Sequence, residues 1–133
     1  MGMTELSSPP RPGLDAFARA TRAEPADLVR DLRELLGAQL VAYLGGVKET
    51  RAVRQWADGT RDVNPKALGR LRLSYQLAAL VTQRDTPEVA QVWFQGLNPA
   101  LDDRSPARLV REGDLEKVGP QVLAAARAFA TTG

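Results

Sequence analysis

Proline and glycine divide this chain into short segments in which apolar residues recur every three or four positions. Proline is favoured at the first position of a helix, and glycine is favoured just beyond the last one. In the segment that begins at Pro25 and ends at Gly37, Leu28, Leu32 and Leu35 therefore share one face of a predicted helix. No stretch shows the alternation of apolar and polar residues that marks a half-buried strand. We predict an all-α fold of about seven short helices.

The same pattern divides the chain into three parts. Residues 1–24 form an N-terminal extension, of which residues 1–13 are rich in proline, glycine and serine and are expected to be disordered. Residues 25–84 are predicted to form a first helical domain that ends in a long helix. Residues 85–133 are predicted to form a second, smaller helical domain.

Capping residues mark the ends of the predicted helices. A polar capping residue followed directly by proline indicates the start of a helix. Three such pairs occur: Asn64-Pro65, Thr86-Pro87 and Ser105-Pro106. The helix from Pro65 has too many apolar positions for one stripe, so we expect it to be buried on more than one side. Gly119-Pro120 is expected to kink or restart the last helix, because proline lacks a backbone N–H.

The chain contains no cysteine and no histidine. Disulfides, cysteine nucleophiles, Ser-His-Asp triads and the usual zinc sites are excluded, because each needs a thiolate or an imidazole. A catalyst would have to rely on carboxylates, Lys, Tyr, Ser or Thr. We expect a protein that is not an enzyme, with no catalytic residues, no metal site and no cofactor. No apolar run approaches the roughly 20 residues that a membrane span needs, and no signal peptide is visible. We therefore expect a cytoplasmic protein with no membrane partner.

Charge is unevenly distributed along the chain. The formal net charge is +2, but residues 48–84 hold 8 Lys or Arg against 3 Asp or Glu, a local charge of +5. The flanking parts, residues 1–47 and 85–133, carry −1 and −2. A basic middle between slightly acidic flanks indicates a local surface that binds anions.

The basic part begins with the stretch VKETRAVRQWADGTR, residues 47–61. With AQLVAYL before it and a glycine turn between them, this stretch fits a helix-turn-helix, whose second helix enters the major groove of DNA. Val53 and Trp56 share a face that would anchor the helix, and Gly59 is predicted to end it. Arginine pairs with guanine and glutamine with adenine, and an arginine just past the helix suits a phosphate. The predicted DNA-binding residues are Lys48, Thr50, Arg51, Arg54, Gln55 and Arg61.

The alternative is that these charges form an ordinary solvated helix face. Charged helices that end in glycine are common, and so are short helix pairs joined by a glycine turn. The local charge of +5 favours the DNA-binding interpretation.

Two stretches resemble the Xre/MbcA/ParS antitoxins. The ending AVRQWADG resembles an Xre-type recognition helix through Val53, Trp56 and Gly59. The C-terminal stretch resembles the toxin-binding domain of these antitoxins, in which a helical Trp precedes an Asn-Pro turn, a Leu, and a Pro that opens a short helix ending in Gly. The residues that carry this second match are Trp93, Asn98, Pro99, Leu101, Pro106, Leu109 and Gly113.

The resemblance spans roughly residues 26–130 and implies an antitoxin of a type II toxin-antitoxin system. Its partner would be a RES-domain toxin that consumes NAD, or uses it to modify a protein. Residues 85–133 would cover the active-site cleft of the toxin, and the helix-turn-helix would bind operator DNA for autorepression. Such antitoxins are usually homodimers within larger complexes.

This chain departs from the pattern of these antitoxins in two places. One extra residue lies between Val47 and Trp56 and lengthens the turn. Residues 1–24 have no counterpart. The first departure leaves open which side chains reach the bases.

Several C-terminal residues are candidates for contact with the toxin. Trp56 and Trp93 are expected to lie in the core, and one of the neighbours Trp93 and Phe94 is expected to be exposed. Asn98 and Pro99 are first of all turn formers, whereas exposed aromatic residues make good interface anchors. The predicted toxin-binding residues are Phe94, Asn98, Pro99, Arg104, Arg108, Arg111, Arg127 and Phe129.

Two other functions fit parts of the sequence. One is a helix-turn-helix transcription regulator whose C-terminal half only dimerises. The other is a metal-dependent enzyme built on four carboxylates, although acids at turns and helix ends cap helices in any case. These carboxylates are Asp102, Asp103, Glu112 and Asp114.

Overall fold

The computed structural model describes residues 12–132, and residues 1–11 and 133 lie outside the described residues. Over the described range the chain forms eight α-helices, one short 3-10 turn and no strand, which confirms the all-α prediction. The expected disorder of residues 1–13 falls almost entirely outside that range. The helices are α1 (Pro12–Arg22), α2 (Pro25–Leu36), α3 (Ala38–Gly45), α4 (Thr50–Asp58), α5 (Pro65–Thr82), α6 (Pro87–Gln95), α7 (Pro106–Glu112) and α8 (Leu115–Thr132), and the 3-10 turn is Pro99–Leu101.

Side-chain caps begin three of these helices where the sequence predicts them. The side chains of Asn64, Thr86 and Ser105 accept hydrogen bonds from the backbone N–H groups three residues further on, at 2.8, 3.2 and 3.1 Å. Each bond satisfies a donor that the first turn of a helix leaves free. At the other end of α4, Gly59 adopts the left-handed conformation with φ of +76°, as its predicted capping role requires.

The helix α5 is the centre of the fold, and it contacts α1, α2, α3, α6, α7 and α8. The prediction that it is buried on more than one side is confirmed. Helix α8 runs beside it in the same direction. A Cβ atom on Gly69 would lie 3.5 Å from Leu115, and Arg84 donates to the carbonyl oxygen of Ala130 at 3.4 Å.

The helix α8 is continuous, so the predicted restart at Gly119-Pro120 is wrong. Pro120 lies in the second turn of the helix and removes only one backbone donor. The helix continues past it because Val122 and Ala126 are fully buried and α8 packs along α5.

One hydrophobic core runs through both predicted halves of the chain. It contains Leu28 and Trp56 from residues 25–84, and Phe94 and Val122 from residues 85–133. The helices of the C-terminal half therefore pack directly on those of the first half, as the contacts of α6 with α2 and of α7 with α3 show.

Polar contacts hold α1 against this body. Arg19 Nη2 lies 2.5 Å from Asp31 Oδ2 of α2, and this hydrogen bond raises the pKa of the Arg19 guanidinium. Arg72 of α5 donates to the carbonyl oxygen of Ala20 at 2.6 Å. The two large apolar residues of α1 are not packed inside and stay more than half exposed: Leu14 and Phe17.

We expect Gly45→Ala to destabilise the protein by about 1–3 kcal/mol, because the new Cβ atom overpacks a buried ring. That atom would lie 2.9 Å from two ring carbons of Trp56. The matched control is Gly69→Ala in α5, where the new atom meets Leu115 at an ordinary 3.5 Å. A helix-interior Gly→Ala change of this kind stabilises by about 0.5–1 kcal/mol. Urea unfolding curves measure both, and equal effects of the two changes would contradict the close packing at Gly45.

Candidate nucleic-acid interface and protein-binding groove

The connection between α3 and α4 is a tight turn, residues 46–49. Gly46 has a left-handed backbone with φ of +87°, and its N–H donates to the carbonyl oxygen of Ala42 at 3.0 Å. Helix α4 begins at Thr50, so Lys48 lies in the turn and not on the helix. A short helix, a glycine turn and a second helix therefore follow one another as the sequence predicts.

Trp56 anchors α4 to the body of the protein. Its ring is buried against Gly45 at the end of α3, and Val53 is buried beside it on the inner side of α4. Arg30 of α2 donates through Nη1 to the carbonyl oxygen of Ala57 at 2.6 Å, near the end of α4. These contacts hold α4 along its inner side and leave the opposite side to solvent.

Of the six predicted DNA-binding residues, Lys48 lies in the turn before α4, Arg61 lies in the loop after it, and the other four lie on α4 itself. Five of them are exposed, and Gln55 is half-buried. One open depression of about 520 Å³ is lined by four of the six: Lys48, Arg51, Gln55 and Arg61.

A neighbouring depression of about 290 Å³ adds a residue that the sequence reasoning missed. Arg33 of α2 lines it together with Thr50, Arg51 and Arg54. Arg33 belongs to a helix that is recognised by its leucines, and only tertiary packing brings it beside α4. No local signal in the sequence pointed to it.

The basic side chains of this surface are not engaged by carboxylates in the part of the chain that the structure describes. There, ion pairs involve Arg19, Arg30, Arg104 and Arg108, and none of the six predicted residues. Arg61 lies over the Trp56 ring, 5.9 Å from its centroid. Glu49 lines the larger depression and opposes the binding of an anion there. The surface keeps a net positive charge all the same.

In the C-terminal half, Asn98 organises the turn between α6 and α7. Its side chain accepts from the N–H of Ala100 at 2.9 Å, and its carbonyl oxygen accepts from the N–H of Asp103 at 2.9 Å. Asp102 and Asp103 both have left-handed backbones, with φ of 56° and 60°. Asn98 and Pro99 therefore act as turn formers, whatever else they contact.

An apolar groove lies between α6, this turn and the end of α8. Its volume is about 410 Å³, and its lining includes Asn98, Pro99 and Phe129 of the predicted toxin-binding set. Two further lining residues, Val92 and Leu97, are 70% and 76% exposed, although both are large and apolar. Neither residue is among the predicted toxin-binding residues. The structure makes these two residues the most exposed apolar side chains of the groove.

Phe94 is a correction to the predicted site. It is fully buried, Trp93 is 7% exposed, and the two rings pack edge to face with centroids 5.3 Å apart. The expectation that one of the two is exposed is wrong, because α6 is covered by α2, α5 and α7 together. Phe94 therefore belongs to the core and does not contact a partner at the surface.

The four predicted arginines are dispersed. Arg104 donates to the carbonyl oxygen of Leu101 at 3.2 Å and thus supports the Asn98 turn. Arg108 pairs with Glu112, Nε to Oε1, at 3.2 Å, and Arg127 is exposed on α8. Arg111 contacts Tyr43 of α3 and does not line the groove.

The four carboxylates of the enzyme alternative do not form a metal site in the described part of the chain. Over residues 12–132 no three Asp, Glu, His or Cys side chains are grouped so that they could hold an ion. Over the same range no helix is long and apolar enough to cross a bilayer.

Comparison with known proteins found no matching family model, no matching curated protein and no matching solved structure. Two exposed surfaces of the described residues are the candidates for a functional site. One is the basic surface of α4 and its turn, and the other is the apolar groove beside Asn98.

We expect Leu97→Gln to change the free energy of unfolding by less than about 0.5 kcal/mol, because exposed side chains contribute little to stability. Phe94→Ala is the contrasting change, and it should cost about 3–5 kcal/mol as a buried aromatic is lost. Thermal and urea unfolding of both variants measure the difference. A large loss of stability in Leu97→Gln would show that this residue serves the fold and not a partner.

Proposed function

We propose that this chain is a DNA-binding antitoxin of a type II toxin-antitoxin system. Its α3–α4 unit would bind operator DNA for autorepression in the cytoplasm. Its C-terminal half would neutralise a RES-domain NAD-consuming toxin by covering the active-site cleft. The observation that carries the proposal is the arrangement of α4, which is anchored by Trp56 and turns its arginines and Thr50 to solvent.

The arrangement of α4 suits the major groove of DNA. A recognition helix contacts base edges with residues of its first turns, and Thr50, Arg51 and Arg54 occupy the first turns of α4. Arg54 has no carboxylate partner among the described residues, so its guanidinium is available for guanine O6 and N7. Lys48 and Arg61 flank the helix in the turn before it and the loop after it, where phosphates would lie.

The groove beside Asn98 supports a protein partner for the C-terminal half. Val92 and Leu97 expose large apolar surfaces at one site, next to Pro99 and Phe129. Contiguous apolar surface of this kind marks sites that bind proteins. That the partner is a RES-domain toxin rests on the resemblance of the stretch from Trp93 to Gly113 to antitoxin toxin-binding domains.

The second candidate is a transcription regulator whose C-terminal half only dimerises. The same groove favours it, since two copies of the chain would also cover Val92 and Leu97. A homodimer is compatible with both functions, because helix-turn-helix proteins read paired half-sites as dimers. The two candidates differ in what covers the groove: a different protein, the toxin, in the first, and only a second copy of this chain in the other.

We expect Arg54→Ala to weaken binding to the promoter region upstream of the gene by about 1–3 kcal/mol and to relax sequence preference. The reason is the loss of a two-bond contact with one base. Arg127→Ala, an exposed arginine on α8, is the matched control and should leave binding nearly unchanged. Fluorescence anisotropy with the promoter duplex and a scrambled duplex measures both. If Arg54→Ala binds both duplexes as the parent does, α4 does not read DNA.

We expect Leu97→Glu to abolish co-purification with the protein that the adjoining open reading frame encodes. A charge in the groove would have to be desolvated on binding, and a buried unpaired charge costs several kcal/mol. Arg54→Ala serves as the control here, because it should keep the partner while it loses DNA. A Leu97→Glu protein that still binds the partner would move the interface elsewhere. Conversion of a dimer to a monomer, with no partner bound by the parent, would favour the regulator.

A further inference from the structure

We infer that Arg111 of α7 binds a phosphate of the DNA backbone, so that the C-terminal half takes part in the same DNA-binding surface as α4. The inference rests on the proposed DNA binding. It gives a DNA contact to a residue that the sequence predicted to bind the toxin. The contact would be made in a separate depression beside the turn between α3 and α4.

Arg111 reaches across the molecule to α3. Its Nη1 donates to the carbonyl oxygen of Tyr43 at 2.7 Å, and its guanidinium carbon lies 4.7 Å from the centroid of the Tyr43 ring. Such stacking over an aromatic face fixes the plane of a guanidinium. The Arg111 guanidinium is thereby held next to the α3–α4 unit, and not at the groove beside Asn98.

The position of Arg111 continues the basic surface. It lines an open depression of about 640 Å³ together with Tyr43, Lys48 and Thr50. Lys48 also lines the 520 Å³ depression that holds Arg51, so the two depressions meet at the turn. A DNA strand that follows α4 would therefore pass from one to the other.

The chemistry of this depression suits a phosphate. A guanidinium carries five N–H donors, and in the described residues only the Nη1 of Arg111 has a protein acceptor. The charged residues that line the depression are Arg111, Lys48 and one acid, Glu49, so its lining has a net positive charge. Because the guanidinium is stacked and bonded to α3, its positive charge is held in a fixed place, and its free N–H groups suit a backbone phosphate.

Arg108, one turn earlier on the same helix, provides the internal comparison. It is exposed and pairs with Glu112 at 3.2 Å, and it lines neither depression. The two arginines carry the same charge on the same short helix, but only Arg111 is directed to the turn of the DNA-binding unit.

The test compares Arg111→Gln, Arg111→Lys and Arg108→Gln in the full chain. Binding is measured by anisotropy over a range of NaCl concentrations, with the promoter duplex and a duplex of scrambled sequence. The slope of log K against log salt is negative, and loss of one phosphate contact makes it shallower by about 0.9. The same loss weakens binding about five- to tenfold near 0.1 M salt. We expect this for Arg111→Gln with both duplexes, with most of the affinity and slope retained by Arg111→Lys. Arg108→Gln should leave the slope unchanged.

The outcomes separate this inference from the proposed function. An unchanged slope for Arg111→Gln, in a protein whose Arg54→Ala variant binds DNA more weakly, overturns the phosphate contact and leaves DNA binding by α4 intact. A lower affinity with the parental slope and a lower melting temperature assigns Arg111 a purely structural role, and this also overturns it. Failure of the parent chain to bind either duplex removes the proposed DNA binding and the inference with it, and leaves toxin neutralisation to be tested by itself.

Discussion

The packing of the Trp56 ring on Gly45 is the contact on which the basic surface of α4 depends. A glycine at the end of α3 is what allows an indole to lie against the backbone there, since any Cβ atom would meet the ring at 2.9 Å. The ring in turn sets which side of α4 is buried. Because Trp56 and three other residues of α4, including Val53, are buried on the inner side, the arginines have only the solvent side left. A basic helix thus acquires a fixed orientation from an apolar contact.

The single core gives this protein a second property, namely that its two halves are physically joined. Helix α5 lies between α1 and α8 and contacts most of the other helices, and α6 packs on α2. Arg111 adds a polar contact between α7 and Tyr43 of α3. The groove beside Asn98 and the basic surface of α4 therefore belong to one packed body with a shared core.

Much of the fold was predictable because its helices are marked locally. A polar residue before proline and a glycine at a helix end carry their meaning within a few positions, which is why Asn64, Thr86 and Gly59 have their predicted roles. The exposure of Arg51 and Arg54 followed in the same way from the spacing of Val53 and Trp56.

What depends on distant contacts was not predictable from the same patterns. Phe94 was misplaced because helical periodicity defines one inner face, whereas α6 is covered by three helices. The exposure of Val92 and Leu97 was not predictable either, since the sequence around an apolar residue does not show whether a neighbour covers it. The contact of Arg111 with Tyr43 was not visible in the sequence because the two residues are 68 positions apart. Arg33 lies beside the basic surface of α4 for the same reason, through packing alone.

The most direct measurement for the central claim follows NAD in cells. The protein encoded by the adjoining open reading frame is expressed alone and together with this chain, and NAD in the lysate is measured over time. The account predicts that NAD falls when the neighbour is expressed alone and is protected when both are present. NAD that stays constant in both cases would contradict the antitoxin function and make the transcription regulator the leading candidate.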